Sequence, residues 1–143
     1  MTRRADRQNL GYLLAKASQR WNELLYARFR REGYAEVRPA YGSILLPLFE
    51  EDGLRMGELA RRCRLSKQTM TTLVRLVERV GLVRRERDPQ DGRAFRIYLT
   101  HRSQAFRPVA EGILRELDAL IATRLDAAEA RTLKRALKGV MEL

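Results

Sequence analysis

At 143 residues the chain is long enough for one domain with helical extensions. It holds one cysteine and one histidine, which excludes an intramolecular disulfide and argues against a transition-metal site, and no apolar run approaches the ~20 residues of a membrane span. The formal charge of +11 is unevenly placed: residues 54–100 carry 12 Lys+Arg against 5 Asp+Glu, while 1–53 and 101–143 each have an excess of only two, so the expected partner is a polyanion met by the middle of the chain.

Residues 1–8 are polar, basic and expected to fray. From Leu10 a helical stripe follows: Leu10, Leu13, Leu14, Ala17, Trp21, Leu24, Leu25 and Phe29, with Gly33 positioned to end it. Pro39 suits a first helical position, and Tyr41, Ile44, Leu45, Leu48 and Phe49 mark a second buried side. Pro47 removes an internal hydrogen bond and crowds the preceding turn, so a kink or an early break is expected there. Glu50, Glu51 and Asp52 read as a solvated helix end, and Leu54–Arg55 as a brief strand.

A short helix from Glu58 to about Cys63 comes next, with Leu59, Ala60 and Cys63 turned towards Leu73 and Val77. Leu65–Ser66 makes a turn, and the Ser66 hydroxyl is placed to cap a helix from Lys67 to Val80. Gly81 stands where a left-handed residue closes that helix. Met70, Leu73, Val77 and Val80 form its expected buried stripe. The opposite face carries Gln68, Thr71, Thr72, Arg75 and Arg79, with Lys67 and Thr69 at its start. An α-helix fits the B-DNA major groove, and Gln, Thr, Lys and Arg can meet base edges and phosphates there. Two helices joined by this turn form a helix-turn-helix pattern, with the second in the reading position.

Residues 82–87 and 95–99 alternate as strands around the tip DPQDGR. Pro89 fixes φ, Gly92 permits positive φ, and Asp88 can bond its own backbone, so a tight hairpin tip is expected. With Asp91, Gly92 and Arg93 at the tip and Arg84, Arg85 and Arg87 beside it, the hairpin reads as a basic wing. Arg93 is expected in a narrow minor groove, where negative potential concentrates. Arg55, Arg84, Arg85 and Arg87 are phosphate candidates.

After the wing, Thr100 can cap a helix from Arg102 to Arg124, with Phe106, Val109, Ala110, Ile113, Leu114, Leu117, Leu120 and Ile121 on one side and Pro108 inside it. Asp126 to Glu129 resembles a capping box that starts a last helix running to Met141, with Leu133, Leu137, Val140 and Met141 apolar. The chain thus divides into a first helix (1–36), a basic middle (37–100) and two closing helices (101–143). The flanking stripes are longer than one small winged helix covers, so the same helices of a second copy are the expected partner.

The stretch ELARRCRLSKQTMTTLVRLVERVGLVRRERDPQDGR, closed by Ile97-Tyr98-Leu99-Thr100, resembles the MarR family of bacterial transcription regulators. The DPxDGR wing before a strand ending in Leu-Thr is its most specific element. The resemblance implies a mainly α, winged helix-turn-helix fold with a small β-hairpin wing and N- and C-terminal dimerisation helices. It further implies a homodimer acting on a pseudo-palindromic operator as a repressor, often released by a small aromatic or anionic ligand. Many members bind aromatic acids where the first, second and fifth helices meet, which makes Tyr12, Trp21, Tyr26 and Tyr41 candidate pocket residues. Peroxide-sensing members carry their reactive cysteine in the first helix. Here Cys63 lies elsewhere, on a core-facing position, so a structural role is expected.

No Gly-rich phosphate loop, GxSxG motif or paired-histidine spacing is present, so neither catalysis, a cofactor nor a metal is expected. His101 stands alone at a helix start. The amino terminus lacks the apolar core of a secretory leader, and a cytoplasmic, non-membrane location is expected. The alternative reading is a basic RNA-binding or ribosome-associated module. Folded RNA is usually read with stacking aromatics, and the polar helix face has none.

Overall fold

The computed structural model describes residues 6–143, so the first five of the residues expected to fray lie outside it. Helix α1 (Leu10–Arg31) starts on Asn9, whose side chain accepts from the Gly11 and Tyr12 amides, a cap that the hydrophobic periodicity does not reveal. It ends as expected at Gly33, with φ +86° and the Tyr34 amide closing on the Phe29 carbonyl at 2.8 Å. A 3-10 turn (Pro39–Tyr41) leads into α2 (Gly42–Glu50), and β1 (Leu54–Arg55) follows. The helix-turn-helix is α3 (Met56–Arg62) and α4 (Lys67–Arg79). Strands β2 (Val83–Arg87) and β3 (Phe95–Leu99) make the wing. Helices α5 (His101–Ile121) and α6 (Ala127–Met141) close the chain. The architecture is mainly helical with one small antiparallel sheet of order β1-β3-β2.

Helix α2 does not break at Pro47; it runs on to Glu50. The carbonyl that loses its partner to a proline is the one four residues earlier, here Ser43. The Cys63 thiol donates to that oxygen at 2.7 Å. Cys63 thus repairs the defect that Pro47 creates and ties the end of α3 to α2. Partial burial pushes its thiol pKa up, which keeps the proton needed for this bond. Pro108 is likewise tolerated, with α5 continuous to Ile121, three residues short of the expected end.

One core runs through the middle of the chain. In α4 the buried residues are Met70, Val74 and Val77, all at 0% exposure. Val74 replaces Leu73 as the central member; Leu73 and Val80 sit on the flanks, partly buried. Ile44, Leu45 and Leu48 from α2, Leu59 from α3, and Leu82 and Ile97 from the wing complete this part. Phe106 carries the core on to α1 and α5: its ring meets Phe29 edge-on at 4.9 Å and Tyr34 at 5.0 Å. At the far side, Glu116 of α5 pairs with Arg28 and Arg31 of α1 at 3.1 and 3.0 Å. Ser66, Thr100 and Asp126 cap their helices as expected, the last two in reciprocal capping boxes.

The wing is fixed by two carboxylates that the sequence reading valued differently. Leu54 pairs with Ile97, and Val83 through Arg87 pair with Leu99 back to Phe95. Asp52, expected in a solvated helix end, accepts from the Leu99 amide at 2.8 Å and its own neighbour Gly53 at 3.0 Å. Asp88 is buried at the base of the tip and accepts from the Gln90 amide at 2.8 Å. The same carboxylate pairs with Arg55 at 2.7 Å and Arg96 at 3.1 Å, joining β1, β3 and the tip. Gly92 does not use the positive φ open to it. The tip closes instead through Asp91, whose carboxylate accepts from the Arg93 amide at 3.1 Å and whose carbonyl accepts from Ala94 at 3.0 Å.

Two outcomes follow from these joints. Cys63→Ala removes the donor from the Ser43 carbonyl and is expected to cost about 0.5–1.5 kcal/mol in urea unfolding, the net value of one hydrogen bond, whereas Cys63→Ser retains a donor and most of the stability. Equal losses would overturn the assignment. The Asp88 carboxyl is held below its ordinary value of 3.8, chiefly by the Gln90 amide and then by the charges of Arg55 and Arg96. A depressed folded pKa stabilises above the unfolded value and is lost as pH falls through the folded one. The Tm gap between the parent and Asp88→Asn is therefore expected to hold from neutrality down to the ordinary carboxyl value of 3.8 and to narrow below it. A gap that ignores acidification would contradict this role.

Candidate nucleic-acid interface

Helix α4 is held by its buried stripe so that the other side stays in solvent. Ser66, Lys67, Gln68, Thr69, Thr72, Arg75 and Arg79 are all exposed, and Thr71 is half-buried on the flank towards the wing. The hydroxyls of this face are engaged locally. Ser66 Oγ accepts from the Thr69 amide at 3.1 Å and donates to Thr69 Oγ1 at 2.9 Å. Thr71 and Thr72 donate to the carbonyls of Lys67 and Gln68 at 2.8 and 3.1 Å. Among the described residues, the side chains of Lys67, Gln68, Arg75 and Arg79 make no hydrogen bond or ion pair within the chain.

The arginines of the wing divide into two groups. Arg55 is committed to Asp88, and Arg85 to Glu78 of α4 at 3.1 Å, with its own amide on the same carboxylate at 3.2 Å. Arg84 pairs with Glu86 and lies over the Tyr98 ring at 4.7 Å. Arg87 donates to the Gly92 carbonyl at 3.1 Å, at the base of the tip. Arg93 differs: it is exposed, and among the described residues its guanidinium has no intramolecular partner. Arg96, which the sequence reading did not single out, is the second cation on Asp88 and donates to the Gly53 carbonyl at 2.9 Å. Its register partner on the neighbouring strand is Arg55, a pairing of like charges that needs a carboxylate between them.

A groove between α4 and the wing gathers Lys67, Thr71 and Arg75 from one side and Arg85, Arg93 and Phe95 from the other. Its acid, Glu58, is already paired with Arg61 and Arg62, which hold its pKa at about 2. The groove is therefore cationic: a polyanion fits it, and among the described residues its walls offer unpaired ammonium and guanidinium groups from Lys67, Arg75 and Arg93.

None of the four aromatic pocket candidates lines a cavity between α1, α2 and α5. Tyr12 is exposed, and Trp21 and Tyr41 pack on the core edge. Tyr26 bonds the Ala35 carbonyl at 2.9 Å and stacks under Arg38. A cavity of about 290 Å³ does exist between α1, α2 and α5, but its apolar wall is built by Leu25, Phe29, Leu45, Phe49, Phe106 and Leu114. Helix packing, which the periodicity of separate segments does not show, decides which aromatics meet. Among the described residues no cluster of His, Cys, Asp and Glu could hold a metal ion, and no helix is long and apolar enough to cross a membrane.

Comparison with known proteins agrees with this geometry. The MarR family model matches residues 37–94. An HTH-type transcriptional repressor of Mycobacterium tuberculosis is 33% identical over 141 residues, covering 94% of each chain. Among solved structures, the PcaV transcriptional regulator of Streptomyces coelicolor, in complex with its natural ligand, superposes with a TM-score of 0.82 at 22% identity, covering 99% of this chain and 98% of that one. The S. aureus MepR–DNA complex gives a TM-score of 0.79 at 21% identity, covering 94% and 96%. The buried stripe of α4, the wing clamped behind it and the full-length likeness to the mycobacterial repressor lead to one assignment: this chain belongs to the MarR family of winged helix-turn-helix transcriptional regulators.

Proposed function

We propose that the chain is a sequence-specific, duplex-DNA-binding repressor that works in the cytoplasm as a homodimer on a pseudo-palindromic operator, and that it is not an enzyme. The observation that carries this reading is a set of exposed side chains with no partner among the described residues: Lys67, Gln68, Arg75 and Arg79 on α4 and Arg93 on the wing. The helix would enter the major groove and Arg93 the adjacent minor groove. Arg84 and Arg87, exposed at the hairpin, would meet phosphates, while Arg55 and Arg85 would have to leave a carboxylate to do so. The mycobacterial relative is named a repressor, and MepR is a neighbour solved on DNA.

Dimerisation is supported by apolar surface that one copy leaves open. Helix α6 has no buried residue, and its Leu133, Leu137 and Val140 are 45%, 37% and 46% exposed. Leu10, Leu13 and Leu14 of α1 and Leu120 and Ile121 of α5 are exposed as well. We take residues 1–36 and 101–143 as the dimerisation parts and 37–100 as the DNA-binding part. The cavity between α1, α2 and α5 would admit a small effector; PcaV is a neighbour solved with its natural ligand.

Selection of bound duplexes from a random pool tests the central claim: a symmetric half-site should be returned, and recovery of no sequence above background would sink it. On the selected duplex, Gln68→Ala should relax preference at one base pair, at about 1–3 kcal/mol. Arg93→Ala should instead weaken all variants by similar factors and flatten the salt dependence. In a separate test, Leu133→Glu with Leu137→Glu should convert a sedimenting dimer into a folded monomer and reduce operator affinity at least about ten-fold, since two half-sites are no longer held together. A double variant that stays dimeric and binds normally would remove the role given to α6.

A further inference from the structure

The outer face of α4 carries a feature that charge does not explain. Beside the basic positions lies a shallow hollow lined by Gln68, Thr69, Thr72, Leu73 and Leu76. Leu76 is 40% exposed, although it stands on a helix whose buried side is complete without it. The threonines make this hollow only weakly polar. Thr72 has given its hydroxyl proton to the Gln68 carbonyl, and Thr69 Oγ1 accepts from Ser66. What remains in the hollow is the Gln68 amide and the Thr69 hydroxyl proton, against two threonine methyl groups and two leucines.

Lys67, Arg75 and Arg79 stand on the same exposed side. An apolar hollow rimmed by cations suits an occupant that is anionic overall and apolar at one point. In the major groove every base edge offers hydrogen-bonding atoms, and the apolar group there is the thymine C5 methyl. We propose that Thr72 and Leu76 are specificity-determining residues that read thymine methyl groups in the operator half-site, with Gln68 supplying the neighbouring hydrogen bonds. This inference rests on the DNA-binding function proposed above and adds to it the chemistry that is read: methyl groups, not hydroxyl-mediated hydrogen bonds, set the preference at these positions. The side chains of the hollow lie about one turn apart along α4, so the methyls they meet belong to adjacent or next-nearest base pairs.

The test uses the full-length protein and the duplex recovered by selection. Each thymine of a half-site is replaced in turn by uracil, which removes the methyl and leaves every hydrogen-bonding atom in place. Replacement at one or two positions is expected to weaken binding by roughly three- to five-fold each, the value of burying one methyl group. Leu76→Ala should erase the thymine–uracil difference at one of these positions while leaving affinity for the uracil duplex nearly unchanged. At the other, Thr72→Ser, which keeps the hydroxyl and drops the methyl, should erase it, and Thr72→Val, which does the reverse, should preserve it. Circular dichroism melting of each variant separates loss of contact from loss of fold.

The two levels of the argument fail differently. Tight, selective binding with equal affinity for thymine and uracil duplexes overturns methyl reading and leaves the DNA-binding function standing. Retention by Thr72→Ser with loss in Thr72→Val overturns it too, because the hydroxyl is then the reader. Capture of no duplex by selection overturns both, and would reassign the hollow to a protein partner.

Discussion

A single buried carboxylate sets the geometry of the basic lobe. Asp88 takes the Gln90 amide, Arg55 and Arg96 at once, so the tip, the edge strand and the central strand converge on one side chain. Without it, Arg55 and Arg96 would face each other across β1 and β3 as unneutralised neighbours. Like charges placed opposite in a sheet repel, and the short edge strand has only two residues with which to resist. The carboxylate turns that repulsion into a clamp. Asp52 does the same work one step along, holding the Leu99 amide where β3 passes into α5. The wing therefore projects from a base fixed at both ends.

This clamp also sorts the arginines. Residues 54–100 look uniformly basic in sequence, with 12 cations. In the fold, Arg55, Arg85 and Arg96 hold Asp88 or Glu78, and Arg61 and Arg62 hold Glu58. Within residues 54–100, the cations with no internal partner among the described residues, Lys67, Arg75, Arg79 and Arg93, lie on α4 and the tip. A net charge says that a polyanion is attracted, whereas the distribution of ion pairs says where it can be gripped without first breaking a bond. Exposed pairs are weak, so Arg84 can exchange Glu86 for a phosphate at small cost; Arg55, tied to a buried carboxylate, cannot do so as easily.

Much of this was legible in the sequence because it depends on local signals. Caps at Ser66, Thr100 and Asp126, the left-handed glycines at 33 and 81, and the alternation of the two wing strands are each set by a few neighbouring residues. What escaped depends on contacts distant in the chain. Val74 displaced Leu73 because the direction of the core, not the period alone, selects the buried side. Pro47 looked like a breaker because its repair, Cys63, is 16 residues away on another helix. Arg96 was silent because its role appears only when β1 and β3 are in register. The lining of the cavity is non-local for a related reason: three helices decide which faces meet, and those faces bring Phe29, Phe49 and Phe106 to it rather than Tyr12, Trp21, Tyr26 or Tyr41.

The position of α2 links the cavity to α4. One side of α2 presents Leu45 and Phe49 to the space shared with α1 and α5. Its Ser43 carbonyl receives the Cys63 thiol at the end of α3, immediately before the turn that starts α4. Arg107 of α5 reaches back to the Phe49 carbonyl at 3.0 Å, so α2 is held from both sides. A helix with a proline in its interior has one fewer internal bond to keep it rigid, and here the missing bond is supplied by the neighbour that leads into α4. Any change in the filling of the cavity that shifts α2 must either carry α3 with it or break the thiol–carbonyl contact. The proline and the cysteine together make α2 the mechanical link between the helices that flank the basic lobe and the lobe itself.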